Sequence, residues 1–98
     1  SCPLKVNYNL EVEYYINQGD SAQAGYISSQ VQAAIEEWIN WQHNKLGRDI
    51  NPSELNYRIV QAGAKRCEII SPAFTVLNAS EIASCMSKSI MFRGLEEN

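Results

Sequence analysis

No stretch of this 98-residue sequence is apolar for more than about four residues, far short of the ~20 that a membrane-spanning helix requires. Cationic runs are also scarce. None is longer than Lys65-Arg66, and 8 Lys and Arg against 11 Asp and Glu leave a net charge of −3. Nucleic acid is therefore not an expected partner, because phosphate binding rests on clustered cations. Histidine occurs once, as His43, and no glycine-rich phosphate loop, His-Glu-x-x-His or calcium loop is present. The opening Ser1-Cys2-Pro3-Leu4 has no basic segment leading into an apolar stretch, so it does not read as a signal peptide. The chain is expected either to stay in the cytosol or to begin inside a larger protein. Its three cysteines, Cys2, Cys67 and Cys85, cannot all pair within one chain, and reduced structural thiols are expected.

What remains is 45% apolar, 19% charged and 9% aromatic, the composition of one folded domain covering residues 1–98. From Lys5 to Ile16, apolar Val6, Tyr8, Leu10, Val12, Tyr14 and Ile16 alternate with a mostly polar set. This is a long, half-buried strand. Asn17-Gln18-Gly19-Asp20 supplies a turn, with Asp20 or Ser21 able to cap a helix beginning just after it. From about Ala22 to Leu46 the period becomes helical: Ile27, Val31, Ala34, Ile35, Trp38, Ile39, Trp41 and Leu46 share one arc, while Glu36, Glu37, Asn40, His43 and Asn44 face water. Gly47 suits a left-handed cap at the end of this helix.

Asn51-Pro52-Ser53-Glu54 marks a second helix to about Ala62: Asn51 caps, Pro52 takes the first helical position, and Glu54 can reach back to the cap's N–H. Ile50 is placed to staple against Leu55, and Gly63 ends the helix. Cys67 to Ile70 reads as a strand stopped by Ser71-Pro72, with Ala73 to Leu77 extended beyond it. The pattern leaves Asn78 to Ser87 open between loop and short helix. Ser89 to Arg93 reads as a last strand and Gly94 to Asn98 as an acidic end. The result is an α+β, two-layer domain in the order β-α-α-β-β, with two helices on one face of a small mixed sheet of about three strands. The other face has no cover. Helical crossovers allow the first strand to run parallel to the second, and the second and third read as a hairpin.

For chemistry, His43 lies on the polar side of the first helix, and neighbouring Glu36 and Glu37 diverge by about 100° around it. Neither makes a catalytic pair. Trp38 belongs to the core, and Trp41, at the arc's edge, is the better interface candidate. Arg48 and Asp49 occupy the interhelical turn, where a structural pair holding the two helices is expected.

The run from Trp41-Gln42-His43 through Arg48-Asp49-Ile50-Asn51-Pro52-Ser53-Glu54-Leu55, followed by Ala62-Gly63-Ala64-Lys65-Arg66-Cys67 and Ser71-Pro72-Ala73-Phe74, resembles the C-terminal region of baseplate J-like proteins. The opening Val6-Asn7-Tyr8 to Tyr15-Ile16 strand and the closing Arg93-Gly94-Leu95-Glu96-Glu97 match as well, whereas the Val/Thr-rich strand and Tyr-Gly-Gly turn frequent in the family are replaced by Met91-Phe92-Arg93-Gly94. The resemblance implies a non-catalytic structural domain, the C-terminal part of a longer protein, in the baseplate wedge of a contractile phage or prophage tail. Its partners would be other baseplate proteins and other copies of itself, with no cofactor, membrane, nucleic acid or small-molecule substrate. It would reside in the bacterial host cytoplasm during assembly and then in the virion tail baseplate. Candidate interface or motif residues are Trp41, Gln42, Arg48, Asp49, Asn51, Pro52, Lys65 and Arg66. Two other classes remain as alternatives: a small metal-binding or enzymatic domain using His43 with a cysteine, and a helix-turn-helix reader of DNA presenting Asn56, Arg58 and Gln61.

Overall fold

The computed structural model describes residues 2–98. Strand β1, Leu4–Asn17, lies in the middle of a three-stranded sheet, flanked by β2, Arg66–Ser71, and β3, Glu81–Glu96. Tyr8, Leu10, Val12, Tyr14 and Ile16 are buried, and Val6 partly so. The intervening Lys5, Asn7, Asn9 and Glu11 are exposed on the opposite face, which no helix among the described residues covers.

Two helices, α1 (Ala24–His43) and α2 (Pro52–Gln61), close the buried face. Helix α1 sends in Ile27, Val31, Ile35, Trp38 and Gln42, spaced four, four, three and four apart, which is one stripe at 3.6 residues per turn. Helix α2 adds Leu55 and Ile59, and Ile50 from the connecting turn joins the same core. The Trp38 ring meets Tyr8 edge-on, with centroids 5.7 Å apart, so the largest buried side chain couples α1 directly to the central strand.

The helices are shorter than their apolar arcs. Helix α1 runs from Ala24 to His43, not Ala22 to Leu46, and neither Asp20 nor Ser21 caps it. Both lie in a 3₁₀ segment, Gln18–Gln23, whose tight turns satisfy the entry through the backbone, the Ala24 N–H donating to Ser21 O. Gly47 is left-handed, at φ 74°, yet it stands beyond the Asn44 cap. Its N–H donates to Glu81 O at 2.9 Å, and a Cβ would meet Ala79 Cα at 3.3 Å, so it serves a close crossing of two loops. Gly63 does end α2, at φ 121°, with Ile27 packed where a side chain would stand.

The sheet corrects the expected pairing. β2 runs antiparallel to β1, β3 runs parallel to it, and β2 and β3 are not neighbours, so there is no hairpin. The physical cause is length. β2 pairs only from Tyr15 down to Glu11, leaving the chain at mid-sheet; residues 72–80 then travel past the interhelical turn to the far edge, where Leu4 N donates to Ser80 O. Thr75 pairs with Ile50 on the way, consistent with the extended reading of this segment.

The undecided Asn78–Ser87 segment and the expected last strand form largely one element, β3, of 16 residues. Its core-facing positions pair with Val6, Tyr8, Leu10, Val12, Tyr14 and Ile16 as Ala83, Cys85, Lys88, Ile90, Phe92 and Leu95. Register shifts at Tyr8/Asn9 and Tyr14/Tyr15 leave Met86 and Arg93 as extra residues, and each shift inverts the alternation. A period-two pattern is therefore invisible along the linear sequence.

Because Trp38 is fully buried and ties α1 to β1, Trp38→Ala is expected to lower unfolding free energy by about 3–5 kcal/mol in a denaturant titration. A loss below about 1 kcal/mol would contradict this packing.

Candidate functional site

The residues of the central motif converge on one place, the junction of the helices with the loop that carries the chain to β3. The Gln42 side chain, fully buried at the end of the α1 stripe, donates from Nε2 to Asp49 O at 2.9 Å and accepts from Asn51 N at 2.8 Å. Only one amide orientation satisfies both, because one partner accepts and the other donates. The Trp38 indole donates to Asn51 O at 3.1 Å. Asn51 caps α2 as expected, its Oδ1 accepting from Ser53 N and Glu54 N, and Pro52 occupies the first turn. The reciprocal half of the capping box is absent: Gln42 takes the Asn51 N–H, and Glu54 instead pairs with Arg58 at 3.1 Å.

Arg48 and Asp49 are structural, but not as a pair. Arg48 donates to Trp41 O and Asn44 Oδ1 and lies 4.1 Å from the Trp41 ring centroid. Asp49 accepts from Leu77 N at 2.9 Å. One residue ties the turn back to α1 while the other ties it forward to the segment before β3. Trp41 is half-covered, with Arg58 also over its ring at 5.2 Å, and Gln42 presents nothing to solvent. Gln42 continues the Ile27-Val31-Ile35-Trp38 spacing, but as a polar residue it stands outside the apolar arc of the sequence, so its burial is a finding of the structure and it is no surface contact.

Lys65 and Arg66 lie elsewhere, against the end of β1, where Lys65 N donates to Tyr15 O. Arg66 holds Glu96 through two hydrogen bonds, at 2.9 and 2.6 Å, and stacks 3.8 Å from the Tyr15 ring centroid. Lys65 Nζ reaches the same carboxylate at 3.0 Å and Glu97 O at 2.8 Å. β2 is thereby fastened to β3 across β1. The Arg66 and Lys65 hydrogen bonds hold the Glu96 carboxyl at about 2, well below its ordinary 4.5. The same partnership with Glu96 raises the Arg66 guanidinium further above its already high value.

His43 is exposed, and its Nδ1 donates to Ala83 O at 2.9 Å. Cys67 is buried and Cys85 partly buried; burial pushes the Cys67 thiol up to about 11 and the Cys85 thiol upward as well. Among the described residues, no three His, Cys, Asp or Glu side chains converge in a geometry that would hold a metal ion. Nor is any helix among them long and apolar enough to cross a membrane.

The exterior offers two features, one expected from the sequence pattern and one that the pattern did not single out. One is the uncovered sheet face, where Asn9 accepts from Ser87 Oγ and Ser71 Oγ across all three strands. The other is the outer edge of β3, with Met86, Met91, Phe92 and Leu95 exposed. Met91-Phe92 within a short strand pattern was the available signal for it.

A family model described as baseplate J-like protein C-terminal domain matches residues 8–90. No curated protein matches the chain.

Replacing Gln42 by Ala leaves Asp49 O and Asn51 N without partners. A loss of roughly 2–4 kcal/mol is expected by denaturant unfolding, larger than for Trp41→Ala by the same measurement. The Glu96 clamp has a defined pH signature. Its carboxyl is depressed in the fold, so its contribution is complete above about pH 4.5 and fades as pH falls toward 2. Thermal melting of Glu96→Gln should therefore match the parent chain at the acid end of that window and fall below it at neutral pH; curves separated by a constant interval at every pH would refute the clamp.

Proposed function

The chain belongs to the family of baseplate J-like protein C-terminal domains, and we propose that it is a non-catalytic structural domain of the baseplate wedge in a contractile phage or prophage tail. In this reading it is the C-terminal part of a longer protein. It joins neighbouring baseplate proteins and other copies of itself, first in the host cytoplasm as the particle assembles and then in the virion baseplate. The observation that carries the reading is the family match across residues 8–90, which includes the buried row of β1, both helices, β2 and most of β3.

The geometry is of the kind assembly requires. Motif residues Gln42, Asp49 and Asn51 are consumed in holding the chain to itself, and His43 is bonded to a backbone carbonyl. What is left for other proteins is surface: a sheet covered on one face only and a long outer strand. A one-sided scaffold of this type acts by being held, and its rigidity, supplied by the buried junction, sets the positions of whatever docks on it.

Cross-linking of intact particles followed by peptide mass spectrometry tests this. Exposed Lys5, Lys45 and Lys88 should form links to other baseplate proteins. Links confined to this chain, or reaching only the tail tube, would remove the assembly role.

A further inference from the structure

Both outer strands of the sheet have a side that no strand among the described residues covers, but the two differ in what they offer. β2 has six residues and is followed directly by Pro72, which has no N–H to give. β3 has 16 residues, no proline, and extends beside β1 from Leu4 to Asn17. Its bulges at Met86 and Arg93 bracket a regular run, Ser87–Phe92, of about 20 Å at ~3.3 Å per residue, the reach of a short extended peptide. The rim of this run is apolar and open, with Met86 63%, Met91 46% and Phe92 41% exposed.

Charge selects among occupants. Between Ile82 and Leu95, Lys88 and Arg93 are the only charged residues, in a chain whose net charge is −3. Their acidic neighbours, Glu36 on α1 and Glu13 on β1, belong to elements on the inner side of β3, and the cations remain 46% and 47% exposed. A second β3 laid along this edge would bring no carboxylate between Ile82 and Leu95 to meet these cations, only more of the same charge, which disfavours self-pairing. An acidic strand meets attraction instead.

We propose that the outer edge of β3, over Ser87–Phe92, accepts by strand addition an extended acidic segment of another protein, one with apolar side chains among its carboxylates. Backbone groups of the segment complete the ladder that β3 leaves open. Its apolar side chains extend the row formed by Ile90 and Phe92, its carboxylates on the opposite face reach Arg93, and Lys88, at the end of the apolar row, adds its charge to the same edge. This names the partner chemistry for the assembly role proposed above and rests on that role.

The test uses the chain, isotope-labelled for NMR, with two probe peptides of alternating residues, Val-Glu and Val-Lys, each about ten residues long. The acidic peptide should shift the Ser87–Phe92 amide signals and slow their exchange with solvent, and the lysine peptide should not. The double variant Lys88→Glu, Arg93→Glu should weaken binding about tenfold, while Tyr57→Ala on α2 leaves it unchanged. Salt raised to about 1 M should weaken it in the parent chain too, a readout independent of whether the variant folds. Equal response to both peptides, no response, or shifts mapping to α2 would overturn the proposal. So would concentration-dependent protection of β3 without peptide, with a dimer in sedimentation equilibrium, because the edge would then belong to a second copy. A silent peptide experiment alongside particle cross-links through another face removes the edge alone and leaves the assembly role standing.

Discussion

The central strand is the constraint on which the rest of this fold depends. Among the described residues, β1 is the only strand paired on both sides, and its alternation puts five consecutive inward side chains, from Tyr8 to Ile16, under the two helices. Both neighbours take their register from it: β2 along its later half, and β3 along its whole length. Since a slip of one residue would turn that buried row to solvent, the pairing on each side is specified by the same apolar set. The edge-on contact of Tyr8 with Trp38 extends this control to α1.

The second determinant is polar. A chain of this length has room for one small core, and residues 72–80 must cross from one edge of the sheet to the other outside it. The crossing is held by hydrogen bonds centred on the interhelical turn: Asp49 to Leu77, Ile50 with Thr75, and Gly47 to Glu81. Gln42 fixes the turn from beneath. A buried amide left without partners would be costly, so a junction in which both ends of Gln42 are satisfied admits one loop conformation and rejects the others. The residues that carry the family resemblance are largely these. Their role here is to route the chain, and they spend their hydrogen-bonding capacity inside it.

In the proposed assembly role, contacts fall to what the junction leaves outside. The uncovered sheet face is banded with Asn and Ser, and the outer strand is apolar at its rim with two cations. The Arg66–Glu96 clamp stiffens the far end of this strand by joining it to β2 over the central strand. An edge that is long, rigid and unlike its own complement suits contact with a different protein more than uncontrolled self-pairing.

By itself, the sequence determined the elements whose pattern is local: the alternation of β1, the α1 stripe down to Trp38, the Asn51-Pro52 start of α2, its Gly63 stop, and the α+β class these imply. Each rests on a period or a cap within a few residues, and so it is readable without knowing the partner. Tertiary structure alone decided the strand order, the antiparallel sense of β2, the extent of β3, the separate tasks of Arg48 and Asp49, and the burial of Gln42. The reason is physical. Two bulges erase the period of β3, and the sense of a strand is set by where the preceding loop releases the chain; a glutamine in an apolar stripe is accepted only when two backbone groups distant in sequence arrive to meet it.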